Sequence, residues 1–178
     1  MSRPIESISR DDPRYPARLR NRLGIDAPPR LTALGNLDLL ALPKTALFCS
    51  ARCPGDAILR THDQAASWRD TGRCIIGGFH SPVEKECLDI LLRGKPSVII
   101  CLARSFEKLR LPVVWQQPMN ESRLLILSCF QPGRSRVTAE LASHRNHFVA
   151  ALADEVWFAH ITPGGQMEKL AHRVKTWP

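Results

Sequence analysis

The stretch RCIIGGFHSPVEKECLDILLRG, residues 73–94, holds the pattern on which the fold turns. Arg73 to Ile76 is a short apolar, β-branched run that reads as a buried strand, and it breaks on Gly77-Gly78. Ser81-Pro82-Val83-Glu84 then spells a helix start, with serine at the cap, proline at the first helical position and glutamate at the third, a capping box. Val83, Cys87, Leu88, Leu91 and Leu92 fall on one stripe, and Gly94 is placed to stop the helix.

Outward from this unit the same alternation repeats. Further strands are expected at Thr45 to Cys49, Ser97 to Leu102, Arg123 to Leu127 and Glu155 to Ala159. Pro54 opens a helix in which Ala57, Ile58, Thr61, Ala65 and Trp68 share a face, and Gly72 ends it. Residues 103–122, with prolines at 112 and 118, read as a short helix followed by a loop. Leu141, Phe148, Val149 and Leu152 predict a helix within Val137 to Ala153, starting near Val137 or at a Ser143 cap, and Gly164-Gly165 precede a last helix ending near Lys175. Strands alternating with helices predict an α/β fold: a Rossmann-like, doubly wound, mostly parallel sheet of about five or more strands with helices on both faces. Residues 1–45, with Tyr15-Pro16, Pro28-Pro29 and Gly35-Asn36, read as a helical and loop lead-in packed on a main domain at 46–178.

A chain of 178 residues suits one hydrophobic core. No apolar run approaches the roughly 18 residues that span a bilayer, and the opening MSRPIESISRDDP lacks a secretory apolar stretch, so a cytoplasmic location without a membrane partner is expected. Three of the six cysteines (Cys49, Cys53, Cys74, Cys87, Cys101, Cys129) lie in or beside strand-like runs, which predicts buried free thiols. Cys49 and Cys53 have no second close pair to complete a zinc site, and no metal or other cofactor is expected. The formal charge of +8 attracts polyanions, nucleic acid first among them.

In an open parallel sheet, ligands bind outside the carboxyl ends of the strands. Those positions are taken by Ser50 and Arg52, then Gly77, Gly78, Phe79, His80 and Ser81, then Arg104, then Ser128 and Phe130, and last His160, Thr162, Gly164 and Gly165. Glycine backbone, hydroxyls and arginine together suit phosphate. His80 and His160 have no partner at a telling spacing and read as polar loop residues. Arg145 sits on an otherwise apolar helix face, where it either pairs with an acid such as Asp154 or faces the crevice from the helix start; the second is preferred, with Asn146 extending the contact. There is no G-x-G-x-x-G or G-x-x-x-x-G-K-[ST] loop, no G-x-S-x-G elbow and no nucleophile beside a base, so enzymatic turnover has little support.

Several segments in order resemble the DprA/Smf DNA-processing proteins, members of the wider SLOG group that also holds the LOG nucleotide phosphoribohydrolases. Tyr15 to Leu19, Ala27-Pro28-Pro29 and Leu34-Gly35-Asn36 are similar to the family's entry segment. Phe48 to Arg52 stands where the family has a V-G-S-R strand end, Ile76 to Ser81 resembles its S-G-x-A-x-G-I-D segment without the later part, and Arg145-Asn146-His147 is similar to its R-N-R helix motif. Ala159 to Gly165 takes the place of the E-A-x-x-x-S-G-S turn. The resemblance implies a Rossmann-like domain that binds single-stranded DNA without catalysis during recombination or DNA uptake and helps load a RecA-type recombinase; a homodimer is a further expectation for this chain.

On that basis Arg52, Gly77, Gly78, Arg145 and Asn146 are expected to hold a phosphate backbone, with Phe79 or Phe130 available to stack on a base or else packed in the core. The alternative is a nucleotide-binding sensor or phosphoribohydrolase of LOG type, since Thr162-Pro163-Gly164-Gly165 with Glu168 is similar to part of that family's P-G-G-x-G-T-x-x-E motif; Glu168 or Glu84 would then be the acid or base. A scaffold that kept the fold and lost its ligand is the third reading.

Overall fold

Short runs rich in Ile, Val, Leu and Cys, each closed by glycine, serine or a polar loop, form seven strands: β1 (Glu6–Ser9), β2 (Arg30–Gly35), β3 (Lys44–Phe48), β4 (Cys74–Gly77), β5 (Val98–Cys101), β6 (Leu124–Ser128) and β7 (Glu155–Phe158). The computed structural model describes residues 4–178 and joins these strands in one sheet, ordered β1-β2-β6-β5-β4-β3-β7. From β6 to β7 every neighbouring pair is parallel, whereas β1 and β2 are antiparallel additions at the β6 edge. Among the described residues six α-helices complete the fold: α1 (Ala17–Leu23), α2 (Gly55–Thr71), α3 (Pro82–Leu92), α4 (Gln116–Asn120), α5 (Ala139–Leu152) and α6 (Gln166–Val174).

Because successive strand residues point to opposite faces, each central strand feeds two cores. On one face Phe48, Ile76, Ile99 and Leu125 pack with Leu19 of α1, Phe148 and Val149 of α5, and Leu170 of α6. On the other, Leu47, Ile75, Ile100 and Ile126 meet Trp68 of α2, Leu91 of α3 and Met119 of α4. The doubly wound α/β class follows from this arrangement. The six cysteines are free thiols, five buried and Cys53 half-buried. Burial pushes Cys74 up to about 11 and Cys87 up to about 12, so both stay protonated and unreactive at neutral pH.

Two expectations are corrected. Residues 1–45 are more than helix and loop: β1 and β2 come from them, and Leu31, Ala33 and Leu34 are buried against the sheet. Residue 45 therefore marks no break in the sheet. The buried Tyr15 hydroxyl donates to the Pro28 carbonyl at 2.7 Å and holds α1 against the start of β2. In residues 103–122 the order is reversed, with a loop first, then a 3-10 turn at Val113–Trp115 and α4. Pro112 precedes the turn, and Pro118 sits in the first turn of α4, where its missing N–H leaves no bond unmade.

Asp154, at the start of β7, ties the bottom of the sheet together. It accepts from the Lys44 amide at 2.8 Å and pairs with Arg18 of α1 at 2.7 Å. Burial raises its pKa, but the Lys44 amide and the charges of Lys44 and Arg18 outweigh that and hold it below its ordinary value. A depressed carboxylate contributes stability above its unfolded pKa, and that contribution is lost as pH falls through the folded pKa. Asp154→Asn should therefore destabilise the protein by about 1–2 kcal/mol at pH 7, with the gap to wild type closing below about pH 4. Thermal melts of both proteins across that range check it.

Candidate nucleic-acid interface

β3 and β7 are neighbours, although the chain builds β4, β5 and β6 between them. Their following loops must therefore part in opposite directions, and a crevice opens at such a switch point. A cavity of about 430 Å³ lies here, lined by Ser50, Ala51, Arg52, Thr162, Gly165 and Gln166 among others. Ser50 stitches the two loops: its amide donates to the His160 carbonyl at 3.0 Å, and its hydroxyl accepts from the Thr162 amide at 2.9 Å. Gly164 takes a left-handed conformation, φ +74°, that turns the chain into α6, and its amide donates to the Glu168 carboxylate at 2.8 Å. Arg52 is exposed and, among the described residues, makes no hydrogen bond or ion pair.

Glu84 links this crevice to the next turn. Its buried carboxylate completes the capping box with Ser81, and it accepts from three amides: Cys49 at 2.9 Å, His80 at 2.9 Å and Ser81 at 3.1 Å. The end of β3 and the β4–α3 turn are thus held on one anion. Phe79 adopts φ +48°, unusual for a residue with a side chain, which turns its ring inward. It is 5% exposed and Phe130 is 8% exposed, both in the core, so neither offers a face for base stacking. His80 alone in this turn is exposed.

Arg145 is neither paired with Asp154 nor open to the crevice. Asp154 is already engaged by Arg18 and Lys44. Arg145 is 3% exposed, its Nη1 donates to the Cys101 carbonyl at 3.2 Å and its Nε donates to Asn146 Oδ1 at 2.8 Å. Asn146 therefore steadies the arginine rather than extending a ligand contact. Burial lowers the guanidinium pKa, while the charge of Glu84 acts the other way. A Cβ on Gly78 would lie 2.0 Å from the Arg145 guanidinium carbon, so Gly78 is glycine because the arginine fills that space.

The remaining candidates lie further along the rim. The Ser128 hydroxyl donates to the Arg104 carbonyl at 2.7 Å and accepts from the Phe130 amide at 3.1 Å. Arg104 is half-buried, and its Nη1 reaches the Glu107 carbonyl at 3.5 Å. The cross-loop part of Glu84 was hidden because its partner Cys49 is distant in sequence. Only the capping box signalled it. A larger groove of about 640 Å³ between α5 and α6 is lined by Asp26, Glu140, His144, His147 and Arg173, a mixed set with no excess of positive charge comparable to the basic rim.

The sequence profile of the family described as DNA recombination-mediator protein A matches residues 6–162. The chain belongs to that family. DNA processing protein A from Streptococcus pneumoniae is 22% identical and superposes with a TM-score of 0.77 over 96% of this chain. The chain spans 59% of that protein's length. DNA processing protein A from Helicobacter pylori, whose structure concerns its binding of single-stranded DNA, is 20% identical with a TM-score of 0.73, covering 97% of this chain and 78% of its own. At these identities the two structures establish the fold. No curated protein sequence matches the chain. For a member of the DNA recombination-mediator protein A family, the spatial result is economical: Phe48 to Arg52, Ile76 to Ser81 and Arg145-Asn146, distant in sequence, meet around Glu84 and Gly78.

Gly78→Ala drives a methyl group into the buried guanidinium and should destabilise the protein by about 1–3 kcal/mol. In an Arg145→Ala background the same change should be much less harmful. Urea titrations of the four proteins in this cycle check it; additive effects would contradict the packing argument.

Proposed function

We propose that this chain binds the phosphate backbone of single-stranded DNA, without catalysing a reaction, as part of DNA processing or recombination in the cytoplasm. The observation that carries the reading is the cavity at the β3–β7 switch point, lined by Arg52, which pairs with nothing among the described residues, and by Gly165 and Gln166 at the start of α6. The Gly164 and Gly165 amides are engaged by Glu168 and Thr162, so the first amides of α6, which no side chain caps, and arginine are the donors for an oxyanion, and a chain of net charge +8 attracts a polyanion over distance. Family membership and the single-stranded DNA bound by the Helicobacter pylori relative point the same way.

The phosphoribohydrolase alternative loses its two candidate acids. Glu84 is buried and engaged with three amides, and Glu168 is taken up by the Gly164 amide. Among the site residues, Arg52, Gly164 and His80 form the open surface. Ser50, Gly77, Gly78, Ser81, Ser128, Arg145 and Asn146 shape it from beneath. Delivery of the bound strand to a RecA-type recombinase, and pairing with a second copy of the chain, belong to the same proposal; light scattering of the purified protein tests the second.

Binding of a labelled oligonucleotide should weaken steeply with salt, and Arg52→Ala should lower affinity and reduce the slope of log K against log salt by about 0.7, the loss of one phosphate contact. A mononucleotide should compete poorly. Absence of binding at low salt, or an Arg52→Ala protein indistinguishable from wild type, would overturn the proposal.

A further inference from the structure

The loops that leave β5 and β6 are fastened to each other in a way that the switch-point crevice does not require. Three hydrogen bonds cross between them beyond the strand ladder: the Ser105 amide donates to the Arg134 carbonyl at 2.8 Å, the Gly133 amide to Glu107 Oε2 at 2.7 Å, and the Ser128 hydroxyl to the Arg104 carbonyl at 2.7 Å. The same Glu107 oxygen accepts from the Ser105 hydroxyl at 2.9 Å, and Ser105 itself is 2% exposed. The Gly133 amide and then the Ser105 hydroxyl hold the Glu107 carboxyl below its ordinary range. Residues 131–140 are exposed throughout, and Gly133 takes φ +96° to make the turn.

A stretch this exposed, carrying Pro132, Gly133 and Ser135, has no apolar packing to hold it. The bonds to Ser105 and Glu107 are what give it a shape. They display Arg134 and Arg136, whose side chains make no hydrogen bond or ion pair among the described residues. On the facing loop Lys108 and Arg110 are exposed as well. Four cations are exposed on the loops, against two carboxylates: Glu107, turned onto an amide and a hydroxyl, and the exposed Glu140 at the end of the stretch.

We propose that these two loops form a second anion-binding ledge, in which Arg134 and Arg136 contact phosphodiesters and Glu107 is a positioning residue that holds the ledge in its binding shape. The inference rests on the single-stranded DNA reading and extends it in length. β6 lies three strands from β3 in the sheet, a separation of about 14 Å at the usual strand spacing. A ligand of one or two phosphates therefore occupies one end of the rim, whereas a polymer engages both. Holding the loop in advance spares a bound strand the entropy of ordering it.

Binding of oligonucleotides of about 4 and about 16 nucleotides, a range typical for single-strand sites, separates the two ends of the rim. The Arg134→Ala/Arg136→Ala protein should bind the longer strand at least tenfold more weakly at low salt, with a salt slope smaller by about 1.4, two contacts at 0.7 each. Its binding of the short strand should match wild type, while Arg52→Ala weakens both. Glu107 gives a test of sign. If it were only a surface anion beside the track, removing its charge would tighten binding. As a clasp, Glu107→Ala should weaken the longer strand's binding several-fold, and Glu107→Gln, which still accepts from Gly133 and Ser105, should restore it. Unchanged salt slopes in the double variant, or tighter binding by Glu107→Ala, overturn the ledge. Failure of the wild-type chain to bind either oligonucleotide instead overturns the DNA reading beneath it. Matching far-ultraviolet spectra and melting curves confirm that the variants fold.

Discussion

A single buried carboxylate organises the centre of this molecule. Glu84 receives the amides of Cys49, His80 and Ser81, so one side chain closes the start of α3, fixes the turn after β4 and anchors the end of β3. Charge-assisted bonds of this kind contribute about 1.5–3 kcal/mol each when buried. Their larger effect is geometric. Backbone N–H groups at strand ends have no sheet partner, and an interior anion supplies one without drawing in water. The guanidinium of Arg145, seated against Gly78 and beneath the same turn, balances that charge through space and makes the floor of the crevice rigid.

This arrangement divides the cations into two kinds. Arg145 is spent inside the protein, its donors taken by the Cys101 carbonyl and Asn146. Arg52 stands outside, and no described residue takes its donors. A buried guanidinium shapes the surface above it, and an exposed one is available to a ligand. The same residue type, once in the loop after β3 and once within α5, thus acts at two depths, and depth is set by what packs around it: Gly78 leaves a space that Arg145 fills, whereas Arg52 is exposed.

How much of this was legible in the sequence follows from the range of the interactions involved. The capping box at Ser81 to Glu84 and the αL glycine ending α2 are local signals, and both elements lie where their residues indicate. β1 and β2 gave no comparable signal. ESIS and RLTALG are short; β2 becomes a strand by pairing across a long sequence gap with β6, and β1 by pairing with β2. Arg145 was conspicuous as a charge on an apolar stripe, yet its partners, a main-chain carbonyl and a glycine surface, leave no mark in a charge pattern. The Arg134 and Arg136 loop was overlooked because its order comes from Ser105 and Glu107, another loop altogether.

The antiparallel edge has a consequence for the order of assembly. Thr32 is paired with Ser128, and among the described residues β1 pairs only with β2. During translation β1 and β2 can pair with each other, but they have no place in the sheet until β6 has been made. Loop closure over that distance is slow, and strands waiting with unpaired edges are open to wrong partners. Tyr15, Leu19 and Leu31, which are core residues in the finished protein, are then exposed for most of translation. β1 and β2 thus join the sheet late, after β3, β4 and β5 and ahead only of β7, although they precede all of these in the sequence.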